Sequence, residues 1–169
     1  MAVATCVTLG VMIALTAVPI DDPRLQRLAQ LYLHEWSALV PTPMGEDGLY
    51  HYAELPRYHD TTSRDVFLFL DDGPPIPTGF ALTRRDDDGR WHVEDFFVIA
   101  GVRRRGLGAV AARRLFATHA GPWTLTVRPE NPRALAFWRA ACPADATEVL
   151  EPGADGIVRT RFSFVAAGG

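Results

Sequence analysis

The chain has 169 residues, 48% of them hydrophobic and 22% charged, with a formal net charge of −3 at neutral pH. This is a globular composition sized for one ordinary domain, and it excludes a disordered chain. All 17 basic residues are Arg, so no Lys is present to form a Schiff base, and the acidic balance argues against a nucleic-acid partner.

Residues 1–18 are apolar but lack a basic leading segment, and Pro19 with Asp21-Asp22 makes a poor cleavage site. The run is at the short limit for a membrane span. The sequence therefore predicts an N-terminal tail over 1–11, a first strand over Met12–Val18 and no membrane association. Cys6 and Cys142 are too isolated for a zinc site or a disulfide scaffold, which suits a reduced, cytoplasmic setting. A single domain is expected over residues 12–166.

Asp21-Asp22-Pro23 supplies an N-cap and a proline for the first turn of a helix over 23–39, with Leu25, Leu28, Leu31, Tyr32, Trp36 and Leu39 at helical spacing. Residues 40–63 read as loop, with a short helix within Leu49–Tyr58. Three strands follow, over 65–70, 78–84 and 91–99, close enough for an antiparallel meander. The first two are joined by the turn Asp71–Pro75, the next two by the solvated acidic turn Asp86–Gly89. A helix over Ala109–His119 is stopped by Gly121-Pro122, and a strand follows over Trp123–Val127. Asn131-Pro132 opens a helix that carries Leu135, Phe137 and Trp138. Strands near Thr147–Leu150 and over Ile157–Val165 end the domain. The order gives an α/β fold, a mixed sheet with helices on both faces.

The chemistry concentrates at Arg103-Arg104-Arg105-Gly106-Leu107-Gly108, between a strand and a helix. A helix N-terminus offers unpaired N–H groups and the positive end of the helix dipole, and so suits an anion. Gly106 and Gly108 let that anion approach the backbone, and the arginines add charge-assisted bonds. The run is not a P-loop, since no Gly-Lys-Ser/Thr follows, and the meander before it is wrong for a dinucleotide fold. Read from residues alone, the turn is either an anion site or a capped helix with a solvated arginine face.

The run Phe96–Gly108 resembles motif A of the GNAT superfamily of acyl-CoA-dependent N-acetyltransferases. The motif's Gln/Arg-x-x-Gly-x-Gly/Ala core falls on Arg103, Gly106 and Gly108. Asn131–Trp138 resembles the family's N-x-x-A-x-x-F-Y/W helix, and Trp36-Ser37 and Asp95–Val98 are similar to segments of small bacterial members. The resemblance implies a mostly antiparallel central sheet of six to seven strands, acetyl-CoA as cosubstrate, no metal and, as in many relatives, a homodimer through the C-terminal strands. It places the pantetheine arm on Phe97, Val98 and Ile99, and the diphosphate on the backbone of Arg103, Arg104, Arg105, Gly106, Leu107, Gly108 and Ala109. Asn131, Phe137 and Trp138 then lie near the thiol end. The implied activity is transfer of an acetyl group to a primary amine of a small molecule or peptide. The alternative is a non-catalytic acyl-CoA-binding module, because Trp138 stands where many members carry an acidic Tyr; the general acid is unassigned.

Strand alternation puts residues 92, 94, 96 and 98 on one face and 93, 95 and 97 on the other. The resemblance implies a Glu or His base on this strand, which makes His92 and Glu94 the candidate bases, and Asp95 is the weaker one for lying on the opposite face. The resemblance implies that the loop over 40–60 shapes the acceptor pocket, and here it is rich in Tyr and acidic residues. Trp36, Tyr50, Tyr52 and Tyr58 are the candidate acceptor-binding residues, with charge and cation–π contacts suited to a cationic amine.

Overall fold

The computed structural model describes residues 13–71 and 74–169. The expected tail over 1–11, Met12, Cys6 and the Asp72-Gly73 part of the expected turn lie outside the described residues. The elements are β1 (Ile13–Ala17), α1 (Pro23–Ser37), a 3-10 turn (Leu55–His59), β2 (Arg64–Asp71), β3 (Pro77–Arg85), β4 (Trp91–Val98), a 3-10 turn (Ala100–Val102), α2 (Leu107–Phe116), β5 (Gly121–Val127), α3 (Pro132–Ala141), β6 (Thr147–Pro152) and β7 (Val158–Ala166).

α1 starts as its sequence dictates. The Asp22 carboxylate accepts from the Arg24 N–H at 2.8 Å, and Pro23 occupies the first turn, where no N–H is needed. The helix buries Leu25, Leu28, Ala29 and Leu33. Leu31 is exposed and Leu39 lies beyond the helix end at Ser37, so the apolar stripe is narrower than the spacing suggested. α2 also differs from expectation. It begins at Leu107 and ends at Phe116, and Gly121-Pro122 opens β5 rather than stopping the helix.

The seven strands form one sheet in the order β1-β2-β3-β4-β5-β7-β6. Every neighbouring pair is antiparallel except β4 and β5, which run parallel. α2 and α3 cover one face over a core that includes Phe69, Val93, Trp123, Leu125 and Phe162. α1 and the turn Leu55–His59 cover the other face over Leu25, Tyr58, Leu68, Phe80 and Phe97. Helices therefore lie on both faces, and β2 and β3 are buried from both sides, which explains their continuous apolar runs.

Two irregularities of β4 coincide and position everything that follows. Pairing with β5 stops after Trp91–Trp123, His92–Thr124 and Val93–Leu125. Pairing with β3 shifts register between Leu82–Asp95 and Thr83–Val93, so Glu94 is the extra residue of a bulge. Beyond Val93 the two parallel strands part, and a cleft opens between them.

Candidate functional site

The bulge corrects the expected alternation. Val93, Phe96 and Val98 pack toward α2 and α3, whereas Phe97 packs toward α1. Glu94 and Asp95 both reach the α1 side, where Tyr58 donates to Glu94 Oε2 at 2.9 Å and Tyr32 donates to Asp95 Oδ1. Residues 96 and 98 thus do not share a face with 92 and 94, and Asp95 is not opposite to Glu94. One inserted residue puts two adjacent carboxylates on one side of the strand, at the point where the cleft begins.

Their surroundings differ. Arg84 Nε lies 3.5 Å from Glu94 Oε2. Among the described residues no cation acts on Asp95; burial pushes its carboxyl up to about 6, against a smaller lowering by the Tyr32 hydroxyl. Burial first, then the facing carboxylates, hold both tyrosines above the ordinary phenol value, so each stays a donor. Tyr32 is the hub of an aromatic group, with ring centroids 5.9 Å from Trp36, 6.1 Å from Tyr52 and 5.8 Å from Phe97. The Tyr52 hydroxyl is buried with no hydrogen-bond partner. Of the expected acceptor residues, Tyr58 therefore holds Glu94, and Trp36 and Tyr52 pack on the ring of Tyr32, which holds Asp95. Tyr50 does not: its hydroxyl lies 3.3 Å from Ser37 Oγ and its N–H donates to Gln30 Oε1. Tyr32 was missed because it sits in the apolar stripe of α1 and reads there as core.

His92 is buried, its Nδ1 2.9 Å from Thr124 Oγ1. Burial, then the positive fields of Arg84 and Arg161, push its pKa down to about 3, so it is a poor base near neutrality despite its place on β4. The unfolded chain protonates this group near 6.5 and the folded chain only near 3. Its contribution to stability is therefore full above the first value and is lost as pH falls toward the second, by roughly 3–5 kcal/mol. His92→Gln is expected to flatten this acid limb in denaturant titrations run across that range. An unaltered limb would place the acid sensitivity elsewhere.

The arginine–glycine turn lies beyond β4. Gly106 caps α2 with φ of 81°, and Arg104 also has positive φ, at 62°. Both are left-handed, which glycine adopts freely and arginine at a cost of about 1 kcal/mol. A Cβ at Gly106 would meet nothing within 4 Å, so the space before the first turn of α2 is open. The N–H groups of that turn have no acceptor within the helix. The turn thus fits the diphosphate expected there. Arg103 does not point its side chain at it. Its Nε donates to the Val98 carbonyl at 2.6 Å, its Nη2 pairs with Glu35 of α1 at 2.7 Å, and its guanidinium lies 5.5 Å from the Phe97 ring centroid.

Gly108 is small for another reason than phosphate approach: a Cβ there would stand 3.0 Å from Cε2 of Phe137. Phe137 thereby locks α3 onto the first turn of α2. Trp138 is buried in T-shaped contact with Phe96, so its indole belongs to the core rather than to an open donor pocket. The Asn131 side chain caps α3, accepting from the Ala134 N–H at 3.0 Å. Among the described residues, no group of three or more His, Cys, Asp or Glu is placed to hold a metal, and no helix is long and apolar enough to cross a membrane.

A family model described as the acetyltransferase (GNAT) family matches residues 25–142. No curated protein matches the chain's sequence significantly. Among solved structures, an acetyltransferase from Thermus thermophilus is 20% identical, with a TM-score of 0.69, covering 91% of this chain and 97% of its own. Mutant forms of the spermidine/spermine N-acetyltransferase SpeG from Vibrio cholerae are 12% identical, with a TM-score of 0.58 and coverage of 91% and 95%. The ribosomal-protein-S18-alanine N-acetyltransferase from Escherichia coli is 15% identical, with a TM-score of 0.56 and coverage of 94% and 96%.

Proposed function

Since the chain belongs to the GNAT acetyltransferase family, we propose that it transfers an acetyl group from acetyl-CoA to a primary amine of a small molecule or peptide, with Asp95 as proton acceptor and Glu94 as its partner carboxylate. The observation that carries this reading is the pair of carboxylates, each held by a tyrosine, at the mouth of the cleft between β4 and β5. Two similar structures are named for amine acetylation, of spermidine and of a ribosomal-protein alanine, which supports an amine as the acceptor class.

Acetyl-CoA, when bound, supplies an acyl group activated as a thioester. The backbone from Arg103 to Ala109 holds its diphosphate at the N-terminus of α2. The edge of β4 left unpaired by β5, at Phe97, Val98 and Ile99, orients its arm through groups other than the Val98 carbonyl, which Arg103 Nε occupies, and Phe137 and Asn131 border its thiol end. The acceptor arrives on the α1 side as an ammonium ion, drawn by Glu94 and Asp95 and bordered by Trp36, Tyr52 and Tyr58. An amine attacks only when neutral, so one carboxylate must take its proton. Asp95 is the better suited, because its raised pKa brings it nearer the working pH, while Arg84 orients Glu94. The departing thiolate is protonated from solvent.

A thiol-release assay across an amine panel tests this reading. Turnover with at least one amine class is expected. CoA binding by calorimetry without turnover of any amine would instead support a non-catalytic acyl-CoA-binding module.

A further inference from the structure

The α1-side face of the sheet is covered by helix only over its first half. On the uncovered half, side chains from β3, β4, β5, β6 and β7 border an open cavity of about 400 Å³, whose lining includes Arg84, His92, Thr126, Glu151, Arg159 and Arg161. It lies on the face opposite α2, because Trp123, Leu125 and Phe162 point the other way into the core beneath that helix. It therefore does not adjoin the diphosphate turn. It does adjoin the carboxylate pair, through Arg84, whose Nε lies 3.5 Å from Glu94.

Three arginines and three acids line this space. Arg84 pairs with Asp86, Arg159 with Asp155 at 2.7 Å, and Arg161 with Glu151 at 2.9 Å. Each acid is thus engaged. Each guanidinium carries five N–H groups and each carboxylate about four acceptor sites, so the lining is balanced in charge and an unused donor has to be found atom by atom. Arg161 Nε is such a donor, buried with no partner among the described residues. His92, beside Thr124, is held neutral by burial first and then by the fields of Arg84 and Arg161. A solvated sheet face with cross-strand ion pairs would leave neither a buried neutral imidazole nor an orphaned guanidinium N–H.

We propose that this cavity binds an anionic group of the acceptor, so that the amine acetylated at Asp95 and Glu94 belongs to a molecule carrying a carboxylate or phosphonate a few bonds away. The inference rests on the reading of those two carboxylates as the amine end. Arg84 bridges the two ends: it touches Glu94 and lines the anion cavity. The short reach favours an amino acid or its phosphonate analogue.

The test uses the full chain with acetyl-CoA and matched acceptors: α- and ω-amino acids, aminoalkylphosphonates, the corresponding amides, and diamines of equal length. The acids are expected to exceed their amides and the diamines in kcat/KM by about tenfold or more. Whether carboxylates or phosphonates lead identifies the anion. Arg161→Gln and Arg159→Gln are each expected to raise KM for the acids about tenfold while leaving the KM of acetyl-CoA and the turnover of amides unchanged. Turnover in which amides or diamines equal the acids would overturn the subsite and leave amine acetylation standing. Should no amine turn over, the reading of the carboxylate pair fails, and calorimetry of the acids into CoA-saturated protein decides the cavity: binding lost in Arg161→Gln supports it, and no binding ends it.

Discussion

Asp95→Asn is expected to lower kcat by about 10²- to 10⁴-fold, the range associated with loss of a positioned general base, with the KM of acetyl-CoA unchanged. The substitution is nearly isosteric, and the amide oxygen can still accept from Tyr32, so the aromatic hub on α1 stays in place. In the wild type, kcat/KM should rise with pH through about 6 as the Asp95 carboxyl ionises, and the variant should lose that limb. Stability carries the opposite sign. The folded pKa lies above the unfolded value of 3.8, so the fold favours the protonated acid. That contribution is complete below the unfolded pKa and is lost as pH rises through about 6. Asp95→Asn should therefore be the more stable protein at pH 8 and the less active one. Activity equal to wild type in a variant with this stability profile would remove Asp95 from the chemistry and leave Glu94, tested by Glu94→Gln, as the base.

Gly108→Glu is expected to weaken CoA binding by about 100-fold or more, since it sets a carboxylate in the field that the first turn of α2 offers to a diphosphate. The added charge is itself favourable at a helix N-terminus, so α2 should persist. The cost in packing falls on Phe137, whose ring carbon would lie 3.0 Å from the new Cβ. Gly108→Ala isolates that cost. It should lower the melting temperature modestly while retaining most of the affinity. Calorimetry showing wild-type affinity in Gly108→Glu, with α2 intact by circular dichroism, would move the donor site away from this turn.

The element order, the capped start of α1 and the arginine–glycine turn were legible because each rests on local chemistry: periodicity, a side-chain cap, residues at fixed spacing. The site was less so. The bulge at Glu94 has no compositional mark; it arises where β4 must satisfy β3 on one side while parting from β5 on the other. That one residue brought Asp95 to the side of Glu94, and no reading of strand alternation could have supplied it. Tyr32 was hidden for a related reason. Its ring is core and its hydroxyl is not, and only the partner 63 positions later distinguishes the two. The arginine cavity joins residues from five strands, so its assembly depends on the sheet order, which places β7 between β5 and β6. Arg103 shows the limit from the other direction. Its place in the motif was evident, but its guanidinium is drawn back by Glu35 and the Val98 carbonyl.

The seam between β4 and β5 has a mechanical consequence. Four strands lie on one side of it and three on the other, and the leaves are stitched by only three residue pairs. A hinge this narrow is compliant: each backbone bond across it contributes only about 1 kcal/mol net, and the ladders within each leaf are far longer. The width of the gap is then the cheapest shape change the sheet can make. Spreading the leaves to admit a long thiol arm and drawing them together around the reacting atoms would load that short ladder together with the shared core beneath α2 and α3, where Val93 and Phe96 of one leaf meet Trp123 and Phe162 of the other.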